Sequence, residues 1–368
     1  MIYLFKDDNI NIKEISKKFK DKPNIVYLDP PYNTKGSNLI YKDHLNSDVW
    51  FNKFNKLLKD IYSIADTNAV IFTSIGIEEL DGVLKSYKEI LGIKNIVAVM
   101  PRKTNNVGKT TKTISKINDF VVVGIKGKVE FEQAKIKTDS YKKKDEFFNE
   151  RGYYQKRRVD YKDFHYSKSL DFEFEFQGNK YYPSGKKELF EKRKSGNFAH
   201  KDWCWIWSKE RMNFALENDF LEADSNYLYK KTYEYSKINK LNGSYVVSKR
   251  IPSTPYDSLE FTDNEYSSDR KKNELDNFFS YPKSSKLIEK IIELPKFEKK
   301  VILDCYAGTG ITGIKAYEKK HSAYLIQKSE KINKDEMAYK SGYKDIFDLT
   351  KDKLLEKIKS NKLKIYEE

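Results

Sequence analysis

Short apolar runs alternate with amphipathic stretches along much of the chain, and their periods separate strands from helices. Ile2–Phe5 is apolar and breaks at Lys6-Asp7-Asp8-Asn9, a short strand running into a polar loop. Apolar residues at 12, 15 and 19 predict a helix over Ile12–Phe19. Asn24–Leu28 is nearly continuous apolar sequence, the pattern of a strand buried on both faces. It stops at Asp29-Pro30-Pro31-Tyr32-Asn33, and two prolines cannot continue a central strand, so Asp29 belongs at its carboxyl end. Helices are predicted over Trp50–Ala65 and Ile77–Leu91, and strands over Ala69–Ser74, Ile96–Met100 and Phe120–Ile125. Alternation of buried strands with helices predicts a doubly wound α/β sheet.

The rhythm fails after Gly127. Residues 128–270 are dense in Tyr, Phe, Lys and Arg, as in Tyr141-Lys142-Lys143-Lys144 and Tyr153-Tyr154-Gln155-Lys156-Arg157-Arg158, and Asp171–Gln177 alternates like a strand. Trp203, Trp205 and Trp207 share one side if their segment is a strand, which reads as core. Alternation returns with a helix at Ser285–Leu294, a strand at Lys300–Cys305, a loop at Tyr306–Gly310 and a helix from Ile311 to Lys319. A strand at Ala323–Gln327 and a tail helix at Thr350–Ser360 follow. The expected division is 1–127 and 271–368 as two pieces of one sheet domain, with 128–270 inserted as a separate α+β module.

Composition narrows the class. Hydrophobic residues at 39% and aromatics at 14% exclude a mainly disordered chain. No apolar run approaches the ~20 residues of a membrane span, and Met1–Phe5 is too short for a secretory leader. A cytoplasmic protein is expected. Cys204 and Cys305 lack a spacing signature, and His44, His165, His200 and His321 are scattered, so neither a disulfide framework nor a metal site is expected. Lys+Arg 70 against Asp+Glu 55 leaves +15, which favours an acidic polymer as partner.

Two loops carry candidate chemistry. Asp304-Cys305-Tyr306-Ala307-Gly308-Thr309-Gly310 follows a strand and opens a helix, where glycines admit a ligand to the backbone and the helix terminus favours anions. Gly308-Thr309-Gly310-Ile311-Thr312-Gly313 also matches a dinucleotide fingerprint, so a nicotinamide oxidoreductase stands as a rival. Against it, Asp304 and Tyr306 crowd the place where a pyrophosphate needs small, uncharged neighbours. Asp29-Pro30-Pro31-Tyr32 can form a rigid receptor for a planar base. Its carboxylate and a proline carbonyl would accept from an exocyclic amine while the tyrosine stacks on the ring. A proline-stiffened turn whose Asp caps a helix accounts for the same residues without chemistry.

Asp29-Pro30-Pro31-Tyr32, followed by Asn33-Thr34, resembles the catalytic motif of amino-group DNA methyltransferases, and the Asp304–Gly310 loop resembles their S-adenosylmethionine motif. The order, catalytic motif first, matches the permuted beta class. Asp7-Asp8-Asn9, Trp205-Ile206-Trp207-Ser208-Lys209-Glu210, Phe279-Ser280-Tyr281-Pro282-Lys283-Ser284-Ser285-Lys286-Leu287-Ile288 and Gly342-Tyr343-Lys344-Asp345-Ile346 are similar to segments of type III restriction-system modification subunits. Ser284 stands where that family usually has proline, Tyr306 where phenylalanine is common, and Gln327 and Glu330 end the strand where related folds carry a ribose-binding carboxylate. The chain begins almost on the strand before Asp7, without the long leading segment of many such subunits.

The resemblance implies a Rossmann-like methyltransferase sheet with circularly permuted motif order and an inserted target-recognition module. It implies methyl transfer from S-adenosylmethionine to adenine N6 in duplex DNA after base flipping. Asp29, Pro30, Pro31 and Tyr32 would be catalytic; Asp8, Asn9, Asp29, Lys283, Ser284, Asp304, Tyr306, Ala307, Gly308, Gly310, Thr312 and Gln327 would hold the cofactor. Lys142, Lys143, Lys144, Arg157 and Arg158 are candidate DNA contacts, each equally accounted for as a solvated face. The alternatives are the methylating subunit of a type III complex with a nuclease/helicase partner, an inactive DNA-binding protein, and an RNA substrate. A homodimer is a further expectation. A cytosine-C5 enzyme is disfavoured, because neither cysteine lies beside a proline.

Overall fold

The computed structural model describes residues 1–33, 46–104, 117–135, 140–163, 165–251, 253–266, 278, 283–334 and 336–367. Thr34, His44 and Phe279–Pro282 lie outside the described residues. The chain forms two compact units, one of residues 1–133 with 255–368 and one of residues 134–254. These boundaries fall inside the expected 128–270. Val129, Phe131, Phe261 and Tyr266 all pack into the core of the first unit.

The first unit is built on an eight-stranded sheet. Its strands are β1 (Ile2–Lys6), β2 (Ile25–Leu28), β3 (Ala69–Ile75), β4 (Ile96–Lys103), β5 (Asn118–Lys126), β6 (Val301–Asp304), β7 (Ser322–Gln327) and β8 (Leu363–Tyr366). They lie in the order β8-β1-β7-β6-β2-β3-β5-β4. The first six are mutually parallel, while β5 runs antiparallel to both β3 and β4. The helices are α1 (Ile12–Ser16), α2 (Ser47–Ile64), α3 (Leu80–Ile90), α4 (Ser285–Glu293), α5 (Ile311–Glu318) and α6 (Ile346–Lys357).

Side-chain alternation along the strands divides the core into two layers. Ile2, Leu4, Ile25, Tyr27, Ile302, Ala323 and Leu325 face α4, α5 and α6. Tyr3, Phe5, Val26, Leu28, Leu303, Tyr324 and Ile326 face α1, α2 and α3. Burial on both faces explains why these strands read as continuous apolar runs. A wholly buried side chain such as Leu58 of α2 contributes roughly 1.5–3 kcal/mol.

The ends of the sheet depart from expectation. The tail helix begins at Ile346 rather than Thr350, because the Asp345 carboxylate caps it by accepting from the Phe347 N–H at 2.7 Å. The chain then adds β8, an unexpected strand pairing in parallel with β1. Helix α1 stops at Ser16, short of Phe19, whose ring stacks on Tyr324 at 3.9 Å. Among the described helices none is long and apolar enough to cross a membrane.

The second unit has a three-stranded antiparallel sheet of Tyr154–Arg158, Tyr227–Tyr233 and Leu221–Asp224. A hairpin of Ser236–Leu241 and Ser244–Lys249 turns at Asn242-Gly243, both at positive φ, as a tight two-residue turn requires. Its core centres on Tyr154, Trp205, Trp207, Met212, Phe220 and Tyr233. Trp205 and Trp207 are buried as expected, while Trp203 is half-buried with the Arg158 guanidinium 4.9 Å from its ring. Only Phe174–Phe176 of the expected Asp171–Gln177 strand is extended, because Asp171 is buried against Arg193 instead.

Candidate functional site

Four neighbouring strands, β1, β7, β6 and β2, deliver their carboxyl-terminal loops to one edge of the first unit, where ligands of open α/β sheets bind. A cavity of about 640 Å³ opens there, within the range of about 300–1,000 Å³ usual for small-molecule sites. Every residue expected to be catalytic or to hold a cofactor lines it, except Tyr32, Ser284 and Gly310.

Those three shape the surroundings instead. Ser284 is fully buried, and its hydroxyl donates to the Glu265 carbonyl at 2.9 Å, which corrects the expectation that it faces a ligand. Gly310 adopts φ +71°, and a Cβ there would meet Leu354 at 3.0 Å; only glycine makes the turn into α5. Tyr32 is half-buried, its hydroxyl donating to Asp119 Oδ2 at 2.8 Å.

The loop after β2 is held at several points. Trp50 Nε1 donates to the Pro31 carbonyl at 2.8 Å, and Asn33 Nδ2 donates to Glu79 Oε1 at 2.5 Å. Lys283 Nζ lies 2.7 Å from Asp29 Oδ1 and 4.6 Å from the Tyr32 ring centroid. Lysine therefore touches both chemically distinctive members of the loop, which refines the expectation that it serves a cofactor alone.

The loop after β6 is tied down from both sides. Gly308 N–H donates to Gln327 Oε1 at 2.8 Å, and Thr350 Oγ1 donates to the Gly308 carbonyl at 2.5 Å. Gln327 therefore spends its carbonyl on the glycine loop. Asp304 accepts from the Tyr306 N–H at 2.9 Å. Its carboxyl is pushed up to about 7, chiefly by burial, while burial also pushes the Cys305 thiol and the Tyr306 phenol upward, so both stay neutral at physiological pH. Gly313 completes the Gly-rich string by packing, since a Cβ there would lie 2.5 Å from Leu325 Cδ1.

At the β1 loop, Asn9 Nδ2 donates to the Cys305 carbonyl at 3.3 Å. Asp8 faces opposed influences: burial works to raise its pKa, but hydrogen bonds from Lys328 and the Ile10 N–H prevail and hold it low. Glu330, partly buried on the same wall, is pushed up by desolvation. Sequence reading missed the wall contributed by α2, where Asn52, Lys53, Lys56 and Asp60 line the cavity. Their helical spacing was visible, but not which face would meet the loops. It also missed Arg102 and Asp119, partners across the β4–β5 pair.

In the second unit, the candidate cations differ in availability. Lys142 and Arg157 are exposed. Lys143 pairs with Glu222 at 2.6 Å, Lys144 lies 4.2 Å from the Phe148 ring centroid, and Arg158 is paired with Asp160 at 2.6 Å. Among the described residues no cluster of His, Cys, Asp and Glu is arranged to hold a metal ion.

A family model described as DNA methylase matches residues 24–339. The EcoPI Mod subunit, a type III restriction-modification enzyme of Escherichia phage P1, is 23% identical over 97% of this chain and 62% of its own. The chain thus spans about three fifths of that relative's length. The type II methyltransferase M.KpnI of Klebsiella pneumoniae is 25% identical over 93% of this chain and 84% of its own. Among solved structures, a DNA modification methylase of Thermus thermophilus is similar with a TM-score of 0.45, at 10% identity over 100% of both chains.

Proposed function

The chain belongs to the DNA methylase family, and we propose that it transfers a methyl group from S-adenosylmethionine to N6 of adenine in duplex DNA. The observation that carries this reading is that Asp29 and the Gly308 loop open onto one cavity from neighbouring strand ends. The cavity suits the cofactor: Tyr306 and Ala307 offer apolar wall for a sulfonium, and Lys283 and Asp8 offer charges for the amino-acid and nucleoside ends. When bound, S-adenosylmethionine supplies an electrophilic methyl group.

The protein's part is to present the amine. A target base inside a duplex is unreachable and must be flipped out, at a cost of a few kcal/mol. Tyr32 then stacks on the ring, and Asp29 and the Pro30 carbonyl accept from the two amine hydrogens, which turns the nitrogen lone pair towards the methyl group. No covalent intermediate is needed: as the N–C bond formed, the C–S bond would break to leave the neutral thioether S-adenosylhomocysteine, and one of the two amine protons would leave by way of the Asp29 carboxylate to solvent. Cytosine N4 offers the same amine to the same acceptors; the acidic first position of the motif favours adenine.

Residues 134–254 are read as the recognition module, with exposed Lys142 and Arg157 placed to contact phosphates. The setting is a prokaryotic cytoplasm. A second reading, the methylating subunit of a type III complex with a nuclease/helicase partner, follows from the likeness to the EcoPI Mod subunit over 97% of this chain; copurification with a large ATP-dependent subunit tests it. A nicotinamide enzyme is disfavoured because it leaves Asp29, which opens onto the same cavity as the glycine loop, without a role.

Incubation with methyl-labelled cofactor and duplex DNA is expected to give N6-methyladenine. Product confined to cytosine, or undiminished turnover by Asp29→Ala, overturns the reading.

A further inference from the structure

Arg102 and Asp119 are cross-strand partners on β4 and β5, 4% and 3% exposed. Taking two charges out of water costs several kcal/mol per ion, so a buried pair of this kind is not by itself a gain in stability. What distinguishes this pair is what it holds. Arg102 Nε donates to Asp119 Oδ1 at 2.8 Å, and its Nη2 lies 2.5 Å from Oδ2. The same Oδ2 accepts from the Tyr32 hydroxyl at 2.8 Å.

The third arm of the guanidinium reaches a different segment. Arg102 Nη1 donates to the Tyr266 carbonyl at 2.9 Å. The neighbouring Glu265 carbonyl accepts from Ser284, the residue after Lys283. Lys283 in turn stands 2.7 Å from Asp29 and 4.6 Å from the centre of the Tyr32 ring. The planar fork of arginine thus spans the segments that carry Tyr32 and Lys283, a geometry a lysine point charge cannot reproduce.

We propose that Arg102 and Asp119 are positioning residues, which anchor the Tyr32 hydroxyl and so hold the ring where it receives a flipped base in register with Asp29. This rests on the proposed function, in which Tyr32 is the stacking residue. Neither residue lines the cavity, so they act through Tyr32 and the Lys283 segment. Burial, then the charges of Asp119 and Asp29, push the Tyr32 phenol upward, so it keeps the proton it donates across the physiological range. A side chain free to swing away from Asp119 would still offer apolar surface but would lose alignment, and small misplacements of a group against the reacting base cost rate more than binding.

The test is a double-mutant cycle on methyl transfer with Tyr32→Phe, Asp119→Asn and the double variant. It measures kcat, KM for DNA and the cofactor Kd, and it reads 2-aminopurine fluorescence at the target position. Asp119→Asn is expected to lower kcat about tenfold or more with cofactor Kd unchanged, but to cost less than about threefold once Tyr32 is Phe. Arg102→Lys keeps the charge but loses the fork, and is expected to show a kcat loss as large as that of Asp119→Asn. Equal losses from Asp119→Asn in both backgrounds overturn the positioning role. A wild-type protein that binds DNA yet methylates no base overturns the proposed function. The 2-aminopurine signal then decides the positioning role separately, which falls if Asp119→Asn leaves that signal unchanged.

Discussion

Two buried Arg–Asp pairs, each joined by a half-buried tyrosine, stand among the described residues, one in each unit, and they are closely matched in chemistry. In the first, Arg102 and the Tyr32 hydroxyl converge on Asp119. In the second, Arg193 Nε and Nη2 donate to Asp171 at 3.1 and 3.0 Å, and Tyr166 donates to the same carboxylate at 2.8 Å. Each arginine also sends an N–H to a backbone carbonyl, that of Tyr266 or that of Pro183. The tyrosines differ. Tyr32 lies three residues from Asp29, with Lys283 over its ring, whereas Tyr166 stacks on Phe198 at 4.3 Å. Burial of an ion pair therefore identifies nothing by itself; the two pairs differ in the side chain each one holds, and on the proposed reading only Tyr32 meets a substrate.

Substitutions can pull the two triads apart. The scale is set by Asp29→Ala, expected to lower kcat by about 10²–10⁴-fold, the usual penalty for losing a group that acts on the reacting atoms; timed incorporation of labelled methyl measures it. On that scale Asp119→Asn should fall clearly, while Asp171→Asn should leave kcat within about twofold. Both should unfold more easily, because breaking a buried pair costs about 3–5 kcal/mol, and denaturant titration of the two variants checks that the stability losses match. A kcat loss as large from Asp171→Asn as from Asp119→Asn would erase the distinction.

A smaller effect concerns Asp304, an acid on the cavity wall with no ion pair among the described residues. Its folded pKa of about 7 lies above the ordinary 3.8, so the folded chain binds the extra proton. Stability should therefore fall as pH rises through about 4 to 7 and stay lowered above it. Asp304→Asn is expected to flatten that slope, with a higher Tm than wild type at pH 8 and no advantage near pH 4, read by thermal unfolding across the range. The smallest effects belong to the second unit's surface. Lys142→Ala and Arg157→Ala should weaken DNA binding uniformly across sequences and reduce the salt slope by about one each, which filter-binding at several salt concentrations would show.

Much of this was legible because both-face burial leaves a one-dimensional trace. The apolar runs ending at Leu28, Asp304 and Gln327 put three loops at strand ends from the sequence alone, and Pro30-Pro31 marked where β2 had to stop. Arg102 and Asp119 left no comparable trace. They meet only because β4 and β5 pair antiparallel, and register across a sheet is set by tertiary packing rather than by local spacing. Ser284 is a related case: the direction of its side chain depends on Glu265, which approaches from another part of the chain. Strand β8, with only Leu363 buried well inside, is too short and too charged to stand out from the tail.

The pairing of β1 also sets a timetable. Its neighbours on both sides are β7 and β8, so Ile2 bonds into register with Ala323 and Leu363, some three hundred residues downstream. On a ribosome that emits roughly 5–20 residues per second, the first strand waits many seconds for both partners. The Asp8-Asn9 corner, which rests on Cys305 and Lys328, cannot settle until β6 and β7 are made. A nascent chain should accordingly hold Asp29 in a half-built sheet, and the cavity wall is complete only once β6, β7 and the start of α6 have been made.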